Sequence, residues 1–205
     1  EEVRAMPVPS AYNDLYTEQA LRDYVGDVIY ERTFEINKAM LQDRLVLRFG
    51  SVTHHARVYV NGKKVVEHKG GFLPFEIDIA QACKIGSNTL RVIVDNRLDF
   101  TTLPVGRLQQ TNYPGYGEVL ENLPNFDFFN YAGIMRPVYL YTTAKTYVDS
   151  IDVRGDMYGK VHYKLDIVGN PTDVQIRVRD EEGQIIHTLY ETKGTFTIEE
   201  PKLWQ

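Results

Sequence analysis

Apolar residues in this chain recur at every second position and almost nowhere at helical spacing, which confines it to β-architectures. Leu45, Leu47 and Phe49 alternate with Val46 and Arg48, and Phe75, Ile77 and Ile79 alternate with Glu76 and Asp78, giving that strand one wet face. Val58-Tyr59-Val60 runs into Asn61-Gly62 and then Lys63-Lys64-Val65-Val66. Asn-Gly between two β-prone runs is a strong hairpin signal, because both central residues of a type I′ turn need positive φ. Leu90-Arg91-Val92-Ile93-Val94, Val138-Tyr139-Leu140-Tyr141 and residues 28–36 read as further strands. Together, before residue 142, they suit a jelly-roll β-sandwich. No run approaches the ~18 apolar residues of a membrane span.

Residues 95–137 behave differently. They carry Pro104, Pro114, Pro124 and Pro137 with Gly106, Gly115, Gly117 and Gly133, and show little sustained alternation. Long loops without structure of their own are uncommon in compact domains and are usually functional or disordered. Disorder is poor in aromatics, yet this stretch holds Tyr113, Tyr116, Phe126, Phe128, Phe129 and Tyr131. It reads as an ordered loop that packs on something or presents something. Thr142-Thr143-Ala144-Lys145-Thr146 then reads as a linker between two domains, residues 1–143 and 144–205. Short strands resume at 147–153, 161–168, 174–178, 185–189 and 195–198, with turns at Gly155, Gly169-Asn170-Pro171 and Glu182-Gly183. That rhythm is immunoglobulin-like, but such a sandwich needs about 100 residues and seven strands, so the second domain is expected to be partial.

Charge and composition remove several functions. A net charge of −5 leaves no footprint for nucleic acid. The start, Glu1-Glu2-Val3-Arg4-Ala5-Met6-Pro7, has no apolar signal-peptide core. The single cysteine, Cys83, allows no internal disulfide and favours a reducing, cytoplasmic setting. Cys83 follows a strand without a partnered base and reads as a small apolar filler. The adjacent His54 and His55 would point to opposite faces of a strand, so they read as ordinary strand histidines and no metal site is assigned. No Gly-rich loop opens a helix, so no nucleotide or other cofactor is expected. Lys63-Lys64 with Lys69 reads as a solvated basic face.

Among the 28 carboxylates, Asp127 stands out, framed as Asn125-Phe126-Asp127-Phe128-Phe129-Asn130-Tyr131. One reading is an Asp that caps a turn while the aromatics pack. The other is sugar recognition, in which aromatic faces cover C–H surfaces and a carboxylate accepts hydroxyl hydrogen bonds.

Several stretches resemble the non-catalytic front of family 2 glycoside hydrolases, most of all bacterial β-glucuronidases. They are Pro7-Val8-Pro9-Ser10-Ala11-Tyr12-Asn13-Asp14, residues 24–30, LRFGSVTHHARVYVNG over 47–62, EHKGGFLPFEIDI over 67–79, and NFDFFNYAGIMRPVYLYTT over 125–143. The terminal Leu203-Trp204-Gln205 also resembles a family segment. One departure is Met135, where relatives often carry histidine.

The resemblance implies a three-part retaining glycosidase: a sugar-binding-type jelly roll, an immunoglobulin-like sandwich and a (β/α)8 barrel that carries two catalytic glutamates. This chain would then lack the barrel and the opening strand. It would hold no catalytic residue and would contribute scaffold and a substrate-facing loop. By motif, Asp127 takes the place of the aspartate that hydrogen-bonds the sugar's hydroxyls. Its carboxylate should therefore be exposed and free of a buried cation. The neighbouring aromatics should pack at least partly on the sandwich, fixing the loop. The expected partner is a glucuronide or related glycoside, in a homo-oligomeric parent enzyme. The alternatives are a β-galactosidase or β-galacturonidase of the same family, a stand-alone carbohydrate-binding module, and a structural domain that supports oligomers.

Overall fold

A computed structural model describes residues 3–203 of the chain. The Glu1-Glu2 start and the Trp204-Gln205 end, both used in the sequence reading, lie outside the described residues. The chain divides after Thr143 into two compact units. Both are built from antiparallel strands. Among the described residues no helix is long and apolar enough to cross a membrane.

The first unit is a sandwich of two main sheets. One has the order Asp27–Ile36, Gly86–Asp95, His55–Val60, Lys63–Lys69. The other has the order Val138–Thr143, Arg44–Phe49, Phe75–Asp78. Strand alternation decides what faces inward. Ala56, Val58 and Val60 from the first sheet meet Leu45, Leu47 and Phe49 from the second in one core with Ile36, Val92, Val94 and Ile134. Phe49 and Phe75, paired across neighbouring strands, stack with ring centroids 4.9 Å apart, a contact that adds packing specificity beyond area. On the outer face Glu76 collects Arg44, Arg48 and the Tyr141 hydroxyl.

The Asn61-Gly62 hairpin forms as the sequence predicts, with φ of +50° and +81°. Asn61 does more than turn the chain. Its amide donates to the Ala82 carbonyl and to Asn88 Oδ1, and its Oδ1 accepts the Thr89 N–H at 3.0 Å. The turn is thereby tied to the next strand of the sheet.

The all-β architecture holds, with single helical turns at Tyr12–Leu15 and Gln19–Arg22. One expectation needs correction: 95–137 is not one loop, because Gly106–Tyr113 and Gly117–Pro124 pair as a hairpin in full register from Gly106↔Pro124 to Tyr113↔Gly117. Most of its side chains are exposed or half-exposed, so no buried face imposes an apolar alternation on the sequence. Tyr116 N–H donates to the Tyr113 carbonyl around Pro114-Gly115, with Gly115 at φ +85°, the residues a type II turn demands at its two central positions.

A third, small sheet joins Ser10–Ala11, Gly133–Ile134 and Val52–Thr53. It brings the start of the chain, the end of the aromatic stretch and the strand before His54 together, and so positions the site described below.

The second unit holds a sheet of Tyr147–Gly155, Lys160–Val168 and Lys193–Thr197 and a hairpin of Ile176–Arg179 with Ile185–Leu189. Its buried apolar residues are Val161 and Tyr163 among the described residues, while Ile151 and Val153 stay exposed.

Two glycines separate conformational from steric cost. At Gly62 an added Cβ would meet open space, so Gly62→Ala should cost only the left-handed penalty, about 1–2 kcal/mol. At Gly133, φ is +142° and a Cβ would lie 2.7 Å from the Ser10 carbonyl oxygen and 2.9 Å from the Tyr30 hydroxyl. Gly133→Ala should therefore lower the urea midpoint clearly more than Gly62→Ala. Equal midpoints would show that the small sheet tolerates displacement.

Candidate functional site

Asp127 lies on residues 125–131, immediately after the exposed hairpin. Its side chain is exposed and makes no hydrogen bond or ion pair with any described residue. A turn-capping Asp would spend its oxygens on nearby N–H groups; this one spends none. The aromatics around it form a chain of contacts: Phe126 to Phe128 at 5.7 Å, Phe128 to Tyr131 at 6.3 Å and Phe129 to Tyr131 at 4.8 Å between centroids. The Arg22 guanidinium sits 5.1 Å above the Phe129 ring, a cation–π contact. Phe128 is half-buried, Phe126 is 58% exposed, and none of these rings joins the sandwich core.

What fixes the loop is a set of asparagines, of which Asn13 and Asn96 are buried. Asn130 is held at three points. Its carbonyl accepts Asn13 Nδ2 at 2.8 Å, its Nδ2 donates to the Asn96 carbonyl at 3.1 Å, and its Oδ1 faces His54 Nε2. Because Nδ2 must face the Asn96 carbonyl, Oδ1 is the atom left for His54, so His54 carries its proton on Nε2 and donates. Asn96 in turn donates to the Tyr12 hydroxyl and the Tyr24 carbonyl, and its own carbonyl also accepts Asn122 Nδ2 from the hairpin. Asn13, Asn96 and His54 are each buried. Sequence reasoning missed this network, since asparagines scattered from 13 to 130 leave no periodic trace.

Beside the loop lies a cleft of ≈ 570 Å³, walled by Arg22, Tyr24, Tyr113, Glu121, Phe128 and Phe129 among others. Asp127 is not part of its wall.

Residues 1–144 match the family model described as "Glycosyl hydrolases family 2, sugar binding domain". The chain belongs to glycosyl hydrolase family 2. It is 40% identical to a β-glucuronidase of Paenibacillus borealis over 98% of this chain and 34% of the relative. It is 39% identical to a human β-glucuronidase over 97% of this chain and 33% of the relative. Among solved structures, an uncultured Clostridium sp. β-glucuronidase is 46% identical, with a TM-score of 0.78 over 98% of this chain and 34% of that one. A β-D-glucuronidase from Dictyoglomus thermophilum is 38% identical, with a TM-score of 0.79 over 98% of this chain and 35% of that one. The chain thus spans about a third of the length of these relatives, and its first unit is the family's non-catalytic sugar binding domain.

The other candidate residues of this family 2 chain take separate places. His55 bonds Glu67 at 2.8 Å while His54 bonds Asn130, so the neighbours serve different partners. Among the described residues no group of three or more His, Cys, Asp or Glu side chains is placed to hold a metal ion. Cys83 packs against the core, and burial, with Asp78 nearby, pushes its thiol up to about 11, so it stays protonated and unreactive at neutral pH. Lys64 pairs with Glu67 at 2.7 Å and Lys69 with Asp99 at 2.6 Å, which neutralises much of the basic cluster.

Burial holds the His54 pKa below its ordinary value, outweighing the opposing bond to Asn130. The neutral form is therefore favoured in the folded state more than in the unfolded one. Stability from this group is complete above the unfolded value, about 6.5, and is lost as pH falls from there toward the lowered folded value. The melting temperature should accordingly drop as pH falls below about 6.5. His54→Gln, which keeps an N–H for Asn130, should flatten that segment of the pH profile. An unchanged slope in the variant would assign the titration to another group.

Proposed function

We propose that this chain supplies the scaffold and the substrate-facing loop of a retaining β-glucuronidase, with Asp127 accepting hydrogen bonds from the sugar's hydroxyls. The observation that carries the proposal is an exposed, unpartnered carboxylate held on a loop whose neighbouring residue, Asn130, is anchored at three points. A carboxylate kept free of internal partners is available to a ligand, and hydrogen bonds to charged acceptors are the strong ones. The relatives named above carry the β-glucuronidase name over the aligned third of their length.

In this reading the chemistry lies outside the chain. One glutamate protonates the leaving oxygen, and a second attacks the anomeric carbon to give a covalent glycosyl-enzyme that water then releases. Residues 1–143 supply the sugar-binding-type jelly roll. Residues 144–205 supply part of an immunoglobulin-like sandwich, a reading supported by the exposed Ile151 and Val153 on its main sheet. The parent enzyme is a homo-oligomer acting on β-glucuronides in the cytoplasm, a setting that suits a chain whose one cysteine has no second cysteine in its sequence to pair with.

The test is Asp127→Ala in the enzyme that carries this chain, assayed on 4-nitrophenyl β-D-glucuronide. Loss of a charged hydrogen bond is worth roughly 1.5–3 kcal/mol, so kcat/KM should fall about ten- to a hundredfold, with the melting temperature nearly unchanged. A variant that melts early but keeps native kinetics would make Asp127 a structural cap. Preference of the unmutated enzyme for the galactoside would remove the glucuronide assignment. Millimolar or tighter binding of glucuronate by the isolated chain, measured by calorimetry, would favour a stand-alone module instead.

A further inference from the structure

We propose that Asn13 is a positioning residue for Asp127: it acts on substrate through the main chain of residues 130–132 and touches no substrate itself. The proposal rests on the role given to Asp127 above.

The geometry is that of a side chain standing in for a strand. Asn13 Nδ2 donates to the Asn130 carbonyl at 2.8 Å, and its Oδ1 accepts the Ala132 N–H at 2.9 Å. Next to it, the Tyr12 N–H donates to the Ala132 carbonyl at 2.9 Å. One amide thus grips two successive peptide groups, those on either side of Tyr131, as an antiparallel neighbour would. Asn13 is 4% exposed and lines the cleft, so a water that takes its place can satisfy the two loop groups without fixing where they stand. The near end of the loop has a different post, the Asn125 N–H on the Val105 carbonyl at 2.9 Å. Between the two posts Asp127 makes no bond of its own to a described residue. Its place is therefore set by the two posts together with the ring contacts and the Asn130 side-chain bonds between them.

Misplacing a binding group by about 1 Å can cost up to 10²-fold in rate, although the displaced group is chemically intact.

A positioning residue and a merely stabilising one differ in a double-mutant cycle. Asn13→Ala, Asp127→Ala and the double variant are made in the parent enzyme and assayed on 4-nitrophenyl β-D-glucuronide well below each variant's melting temperature. Asn13→Ala alone should lower kcat/KM by about tenfold. In the Asp127→Ala background the same change should alter kcat/KM by less than about twofold, because the group it positions is gone. Should Asn13→Ala not fold, Asn13→Asp runs the same cycle. It keeps an acceptor for the Ala132 N–H and sets a second oxygen against the Asn130 carbonyl. Equal losses from the Asn13 variant in both backgrounds, or no loss from it alone, would overturn the positioning role while leaving Asp127 in place. No loss from Asp127→Ala would overturn both proposals.

Discussion

The Asn96 carbonyl and side chain hold the working end of the first unit together. The carbonyl accepts amides from Asn122 and Asn130, and the side-chain amide reaches Tyr12 and Tyr24. Four separate pieces of chain converge on this one residue: the initial helical turns, the end of a core strand, the exposed hairpin and the aromatic loop. The cost of leaving any one buried group unmade is about 1–3 kcal/mol. A network of this kind therefore rewards completeness and penalises partial assembly. The sandwich core beneath it, stacked around Phe49 and Phe75, provides the rigid floor; the asparagines provide the address.

The division of labour explains the chemistry left at the surface. The buried amides of the network, Asn13 and Asn96, are spent on other parts of the chain, whereas Asp127 is exposed and has no partner among the described residues. The phenyl rings around it lean on one another and on Arg22 more than on the core. They form an apolar collar whose shape depends on how its two ends are pinned. A carboxylate on such a collar keeps its acceptor capacity unspent by any described residue.

The sandwich was readable because its physics is local and periodic. Leu45, Leu47 and Phe49, or Ala56, Val58 and Val60, announce an inward face by alternation, and Asn61-Gly62 announces its own turn. The hairpin from Gly106 to Pro124 lacks an inward face, so its strands left no alternation, and its prolines and glycines, Pro114-Gly115 at the turn included, read as loop. Asp127 stood out by motif. Its supports did not, because Asn13, Asn96, Asn122 and Asn130 are ordinary loop-formers in sequence. Their partners lie as far as 117 and 119 residues away. Burial, which turns an asparagine from a turn-former into a clamp, is a property that no local window contains.

The distance spanned by that clamp also orders events in time. Contacts between residues far apart in the chain form late, because the closure entropy of everything between them must be met first. On a ribosome that adds residues from the N-terminus, Asn13 emerges well before the loop it must grip, and its amide stays in water while the core strands are still being made. The loop's grip thus belongs with the long-range contacts of the first unit, beside the pairing of Ser10 with Ile134. A chain that stopped short of residue 130 would carry Asn13 with neither of the peptide groups that it holds.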